Sequence, residues 1–169
     1  MKQLLFILLF GFSVFSPGQN NLVINSSFEN ITQCPSSFSQ IDSAYNWFQP
    51  IRQFSTSDLF NICSTSSNVD IPSNAFGSQL AISGNGYAGI FFYLSSSRSS
   101  REYIECKLNE PLKKNYTYCV EFYVSLSDNS SFAISSIGVL FSIDSVLCNN
   151  ACFINTIPQI QNDSSNIVS

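Results

Sequence analysis

Residues 116–128, YTYCVEFYVSLSD, constrain the fold of this chain more than any other stretch of its sequence. Apolar side chains occupy the even-numbered positions from 118 to 126, and mostly polar side chains occupy the odd-numbered positions between them. Successive side chains of a β-strand point to opposite faces, so this pattern predicts a strand with one buried face and one wetter face. A helix would scatter the same apolar residues around its circumference.

The amino-acid composition favours the same class of fold. The chain of 169 residues contains 16 Phe and 7 Tyr, together with 32 Ser and 17 Asn. Phe and Tyr favour strands, whereas Ser and Asn favour turns and loops over helix interiors. We therefore predict an all-β protein, and the length suits a single domain.

The charge of the chain excludes some functions. The formal net charge is −4, and the seven Lys and Arg form no basic run, so we expect no nucleic-acid partner. The chain contains no His, which removes histidine catalysis, histidine metal ligation and the usual base for a cysteine nucleophile. Glycoside hydrolysis needs two carboxyl groups beside one bond, and nothing in the sequence selects such a pair. We therefore predict that the protein is not an enzyme.

The chain divides into three parts. A positive start followed by an apolar run from residue 4 to residue 15 predicts a signal peptide over residues 1–19. That run is shorter than the roughly 20 apolar residues of a membrane anchor, so we expect no membrane span in the mature chain. Residues 20–157 are predicted to form the β domain. Residues 158–169 are predicted to be a polar tail or the start of a missing strand.

Further strands are predicted where apolar alternation recurs between turn-forming residues. A single helical turn is predicted at Ser57–Asn61, with Ser57 as its N-cap. The predicted strands are 21–28, 44–48, 87–94, 101–108, 116–128 and 136–143.

Six cysteines in an exported chain suggest disulfides, and six allow 15 pairings. Zinc is disfavoured because no C-x2-C unit is present. If 101–108 and 116–126 form a hairpin that buries both apolar faces, Cys106 faces Tyr118 or Val120 rather than Cys119. We therefore predict that Cys106 is a buried free thiol, although a one-residue bulge would allow Cys106 to pair with Cys119.

Several stretches occur together in one order. They are NLVINSSFE (21–29), TQCP (32–35), WF (47–48), DLFNICS (58–64), SGNGYAGI (83–90), REYIECKL (101–108) and YCVEFYVSLSD (118–128). The ordered set resembles the N-terminal domain of Bacteroidetes surface proteins of the OmpA-family and gliding-motility-associated groups. Its opening is similar to that of carbohydrate-binding modules with a galactose-binding-like jelly roll.

The resemblance implies an antiparallel two-sheet β-sandwich of eight or nine strands, exported to the outer membrane, the cell surface or the medium. It also implies a disulfide between Cys34 and Cys63. Two departures from the family pattern stand out. Residues 132–135 are FAIS, where the family has an acidic residue. The chain also stops before the family's closing strands, which predicts either a domain truncated at its C-terminus or a domain with an open sheet edge.

Sandwich lectins hold sugars between aromatic rings and a few polar groups, which makes exposed aromatic residues candidate ligand contacts. Tyr123 is the most interesting, because it shares the wetter face of residues 116–128 with Glu121. For these aromatic residues core packing is the competing interpretation. The candidates are Tyr123, Glu121, Trp47 and Tyr87, with Phe48 and Tyr93 as weaker ones.

Jelly-roll modules similar to this chain often hold a structural calcium near the opening strand, where Glu29 lies. No other cofactor is predicted. The predicted function is a non-enzymatic binding or spacer domain that contacts a glycan or a cell-surface protein. The alternative is a carbohydrate-binding module of a larger secreted enzyme or adhesin.

Overall fold

The structure is a computed structural model that describes residues 20–50, 56–92, 101–146 and 154–162. Apart from a single-turn 3-10 helix at Ile41–Ser43, the regular elements in these ranges are short strands, so the predicted all-β class is confirmed. The strands are Trp47–Phe48 (β1), Asp58–Asn61 (β2), Ser73–Asn74 (β3), Gly77–Ser78 (β4), Gly86–Gly89 (β5), Glu105–Cys106 (β6), Gly138–Val139 (β7) and Ile160–Gln161 (β8).

The described strands pair as four small antiparallel sheets. Strand β1 pairs with β6, β2 with β5, β3 with β4, and β7 with β8. Two isolated bridges add to them, Val23 to Leu108 and Ile31 to Ala44. The antiparallel pairing of β7 with β8 brings Ile160 and Gln161, which belong to the predicted polar tail or new strand, against the preceding part of the chain.

The core lies around β2. All four residues of this strand are buried, and the Phe60 ring stacks on Tyr87 of β5 with 5.0 Å between ring centroids. A Cβ at Gly89 would lie 2.5 Å from the Phe60 ring, so β5 needs glycine where it crosses this side chain. Other buried members of the core are Ile41, Ala44, Leu59, Val69 and Ile71.

The helical turn predicted at Ser57–Asn61 is wrong, because Asp58–Asn61 form β2 and pair in register with β5. The Ser57 hydroxyl does not cap a helix; it donates to the backbone carbonyl of Tyr103 at 3.1 Å. A cap-like serine is a weak local signal, and burial of all four residues of β2 outweighs it.

The opening strand predicted at residues 21–28 is wrong beyond Val23. The chain turns there, and the Phe28 amide donates to the Asn25 carbonyl at 3.1 Å. The Asn25 side chain donates to the carbonyls of Asn30 and Tyr45, at 2.9 and 3.0 Å. Asparagine side chains can hydrogen-bond to nearby backbone groups, and here these bonds stabilise a turn in place of a paired strand.

The strand predicted at residues 116–128 is also wrong as a paired element. Over residues 117–126 no backbone group forms a hydrogen bond to any part of the chain that the structure describes. The C-terminal end of this stretch is held on the β3–β4 hairpin instead. There the Ser127 hydroxyl donates to the Phe76 carbonyl at 2.6 Å, and the Ser78 amide donates to the Asp128 carboxylate at 2.8 Å.

The predicted hairpin between 101–108 and 116–126 is therefore not formed. Strand β6 pairs with β1, which places Cys106 opposite Trp47 rather than opposite Tyr118 or Val120. Alternation of apolar residues fixes which face of a strand is buried, but it does not choose the neighbouring strand.

The disulfide between Cys34 and Cys63 is confirmed. Cys106 and Cys119 are both free, so the prediction that they do not pair is confirmed as well. Cys106 is half-buried, and burial, together with the nearby Glu105 carboxylate, raises the pKa of its thiol to about 11. Cys148 and Cys152 lie outside the described residues, as do the predicted signal peptide and Tyr93.

Within the described ranges, no helix has the length and apolar character needed to cross a membrane.

Candidate functional site

An open groove of about 400 Å³ lies between residues 120–124 and the paired strands β7 and β8. Its lining is mostly aliphatic and aromatic, with one carboxylate and two amides. The lining residues are Val120, Glu121, Phe122, Val124, Ile137, Val139, Ile160, Gln161 and Asn162. This composition, apolar with a few polar groups, is the usual one for a binding site.

One wall of the groove is formed by residues 116–126, a segment without turns or bends whose apolar side chains are incompletely covered. Val120 is 37% exposed and Phe122 is 50% exposed, and Tyr118 and Val124 are similarly accessible. Monomeric proteins rarely leave contiguous apolar patches of this kind in water unless the patch binds something.

The other wall is held by its own side chains. The Gln159 amide accepts from the Phe141 backbone N–H at 2.8 Å and donates to the Phe141 carbonyl at 3.0 Å. The Asn162 amide oxygen accepts from the Ile137 N–H, and the Asn162 N–H donates to the Ile137 carbonyl at 3.1 Å. These hydrogen bonds lie just beyond each end of the β7–β8 pair, and they help to fix the position of this side of the groove.

Tyr123 and Glu121 are brought together beside this groove. The Tyr123 hydroxyl donates to the Glu121 carboxylate at 3.2 Å, and the Tyr123 side chain is 71% exposed. The exposed ring and the carboxylate that lines the groove form an aromatic and polar pair accessible to a ligand.

Trp47 lies elsewhere, on β1. Its indole N–H donates to the Asn25 carbonyl at 2.8 Å, and its ring packs against Phe28 with centroids 4.7 Å apart. Phe48, the other residue of β1, faces Glu105 of β6. Trp47 is thus engaged in packing and is not part of the groove lining.

Tyr87 lies in a third place, against the core. Its ring stacks on Phe60, and its hydroxyl accepts a hydrogen bond from the Asn74 side chain at 2.8 Å. Burial raises the pKa of this phenol, and the Asn74 bond opposes that rise. The structure therefore brings Tyr123 and Glu121 together but does not add Trp47 or Tyr87 to them.

Glu29 stabilises the turn at residues 84–86. Its carboxylate accepts from the backbone N–H groups of Asn85 and Gly86, at 2.6 and 3.0 Å, and from the Asn85 side chain at 2.9 Å. Gly84 has a φ of 70°, and a Cβ there would strike the Glu29 carboxylate. A calcium ion at Glu29 would share this carboxylate with three N–H donors, and calcium there stays a prediction. In the described part of the chain, no three His, Cys, Asp or Glu side chains are grouped to hold a metal.

Two buried carboxylates form a site that the sequence analysis did not select. Glu102 is 6% exposed, and it accepts from the Thr56 and Phe91 amides, each at 2.9 Å, and from the Thr56 hydroxyl. Asp58 is 3% exposed and accepts from the Ser39 amide at 2.6 Å. The pair connects the loop before the 3-10 helix, β2 and the segment before β6.

Burial raises the pKa of Asp58 from 3.8 to about 6, the Ser39 bond opposes this rise, and the Glu102 charge adds to it. A signal for Glu102 was present in the sequence, because position 102 shares its face with Ile104, Cys106 and Leu108 in the predicted strand. An acid on an apolar face has to be hydrogen-bonded when it is buried. No comparable signal marks Asp58.

We compared the chain with protein-family models, curated proteins and solved structures, and none of the three comparisons gives a match.

Proposed function

We propose that this chain is a non-enzymatic binding domain of an exported protein and that it binds an extended protein segment in the groove. One observation carries the proposal: residues 117–126 combine partly exposed apolar side chains beside the β7–β8 strand pair with backbone groups that form no hydrogen bond to any described residue. An extended peptide can add to such a segment through main-chain hydrogen bonds while its alternate side chains enter the groove.

Export is supported by the disulfide between Cys34 and Cys63, since disulfides persist in oxidising compartments outside the cytoplasm. The apolar run before residue 19 supports a signal peptide. We further propose the cell surface or outer membrane as location and the two-sheet jelly roll of the Bacteroidetes surface domains as complete fold. Both rest on the ordered sequence stretches described above.

A displayed library of extended decapeptides tests the proposal directly. We expect selection on the exported chain to enrich peptides with alternating apolar residues, and Phe122→Ser to abolish their binding. Ile82→Ser is the matched control, because Ile82 is an exposed apolar residue that does not line the groove. Enriched peptides that bind wild type and Phe122→Ser equally well would refute the groove as the site.

A carbohydrate-binding module is the second candidate, and the exposed Tyr123 ring beside the Glu121 carboxylate favours it. Binding on a glycan array that disappears in Tyr123→Ala but survives in Tyr45→Ala, another exposed tyrosine, would establish it. No binding on the array would remove this candidate. Hydrolysis of a polysaccharide by the purified chain would overturn the non-enzymatic assignment.

A further inference from the structure

We propose that the natural occupant of the edge of residues 116–126 is the same segment of a second copy of this chain, paired antiparallel to form a two-fold symmetric dimer. This inference rests on the proposed function, because it names the partner of the same surface.

The segment has the properties of an open strand edge. It contains no helix, turn or bend, its backbone N–H and C=O groups over 117–126 have no partner among the described residues, and its even-numbered side chains are apolar. It lacks the usual protections of an edge: no proline interrupts it, and Glu121 is the only charged residue between positions 115 and 127. Such an edge is a template for another strand.

Charge complementarity indicates which strand pairs with it. Lys114 lies just before the segment, and Asp128 lies just after it. Lys114 forms no ion pair within the described ranges, where the single ion pair joins Lys113 to Glu110. Antiparallel pairing of two copies brings the positive end of each segment to the negative end of the other. A parallel pairing would instead place like charges together.

The register follows from the same charges and from the apolar face. Pairing Glu121 with its own copy would set two carboxylates directly opposite each other, which is unfavourable. A shift that centres the pair on Val120 avoids this and sets Tyr118 opposite Phe122 on the apolar face. In that register Lys114, in the turn before the segment, and the other copy's Asp128, in the turn after it, lie at the same end of the strand pair.

A strand pair of this length buries little surface compared with obligate dimers, so the association should be weak and dependent on concentration. We expect sedimentation velocity of the exported chain to show a reversible monomer–dimer equilibrium. Val120→Lys sets two positive charges directly opposite each other at the two-fold axis, and we expect it to weaken the dimer about tenfold or more. The matched control Ile82→Lys should leave the equilibrium unchanged.

Lys114→Glu reverses the charge at one end of the segment and should weaken the dimer. Lys107→Glu reverses an exposed charge outside the segment and serves as the control. Raised salt should weaken the wild-type dimer and have less effect on Lys114→Glu.

A monomer at every concentration, or a dimer that Val120→Lys does not weaken, overturns the self-pairing. The peptide selection then distinguishes the two ideas. If the selected peptides still bind the groove, the proposed function stands and only the second copy is rejected as the occupant. If neither the second copy nor any peptide binds, both proposals fall.

Discussion

The two buried carboxylates show how individual residues hold this chain together. Glu102 satisfies the backbone amides of Thr56 and Phe91, which come from different parts of the chain, and Asp58 satisfies that of Ser39. Both carboxylates are buried, and these hydrogen bonds offset the cost of removing them from water.

Asp58 makes the stability of the fold depend on pH. Its folded-state pKa of about 6 lies above the ordinary value of 3.8, so the folded chain holds this proton more tightly than the unfolded chain does. The resulting stability is complete below about pH 4 and is lost as the pH rises through about 6. We expect the free energy of unfolding to fall over this range in wild type and to fall less in Asp58→Asn.

Urea unfolding between about pH 4 and pH 7 measures this difference. Asp42→Asn is the control, because Asp42 is exposed. Since the Glu102 charge contributes to the rise, Glu102→Gln should lower the pKa of Asp58 towards its ordinary value. Parallel pH profiles for wild type and Asp58→Asn would contradict the assignment.

Removing the Glu102 carboxylate should be far more damaging than removing a surface acid. Glu102→Ala leaves the Thr56 and Phe91 amides without their acceptor, and we expect it to lower the free energy of unfolding by about 2–4 kcal/mol. Glu110→Ala removes only an exposed pair with Lys113, at 3.4 Å, and should cost about 0–1 kcal/mol. If urea unfolding showed an equal fall in the free energy of unfolding for both variants, the hydrogen bonds of Glu102 would not stabilise the fold more than a surface ion pair does.

At the scale of elements, strands of two to four residues cannot be stable in isolation, so they depend on the connections between them. The disulfide between Cys34 and Cys63 closes a 29-residue separation that includes β1 and β2. It ties the loop before the 3-10 helix to the end of β2, the strand at the centre of the core.

Replacing both disulfide cysteines by serine should lower the free energy of unfolding by about 3–4 kcal/mol, as expected for a loop of this length. Cys119→Ser is the control, because Cys119 is exposed and free, and it should leave stability nearly unchanged. Thermal unfolding followed by circular dichroism measures both. A double variant as stable as wild type would show that β2 and β5 hold this region without the cross-link.

At the scale of the whole molecule, stability is distributed unevenly. Most of the buried residues lie between positions 35 and 71, whereas residues 110–136 are largely exposed. Regions with few buried contacts and few backbone hydrogen bonds open at low free-energy cost.

Hydrogen exchange should therefore separate two regions. We expect slow exchange for the amides of β2 and β5 and nearly unprotected exchange for residues 117–126 in the dilute monomer. If the dimer forms as proposed, raising the protein concentration should slow exchange in 117–126 and leave β2 and β5 unaffected. Strong protection of 117–126 at the lowest concentration would show that this segment is paired within its own chain.

The all-β class was predictable from the sequence, because composition and apolar alternation are local properties of the chain. The family resemblance that we propose for the sequence implied the disulfide between Cys34 and Cys63. These features need only local patterns or ordered stretches of sequence. Cys106 and Cys119 are indeed unpaired, but the sequence argument for this assumed a hairpin that the structure does not form.

Which strands are neighbours became evident only from the tertiary structure. It placed Cys106 opposite Trp47, made β2 a strand where a helical turn was predicted, and left residues 117–126 without the hairpin partner that their pattern favours. It also brought Asp58 and Glu102, distant in sequence, into one buried site. Alternation states which side of a strand is apolar, but the choice of partner depends on long-range packing that no local pattern contains.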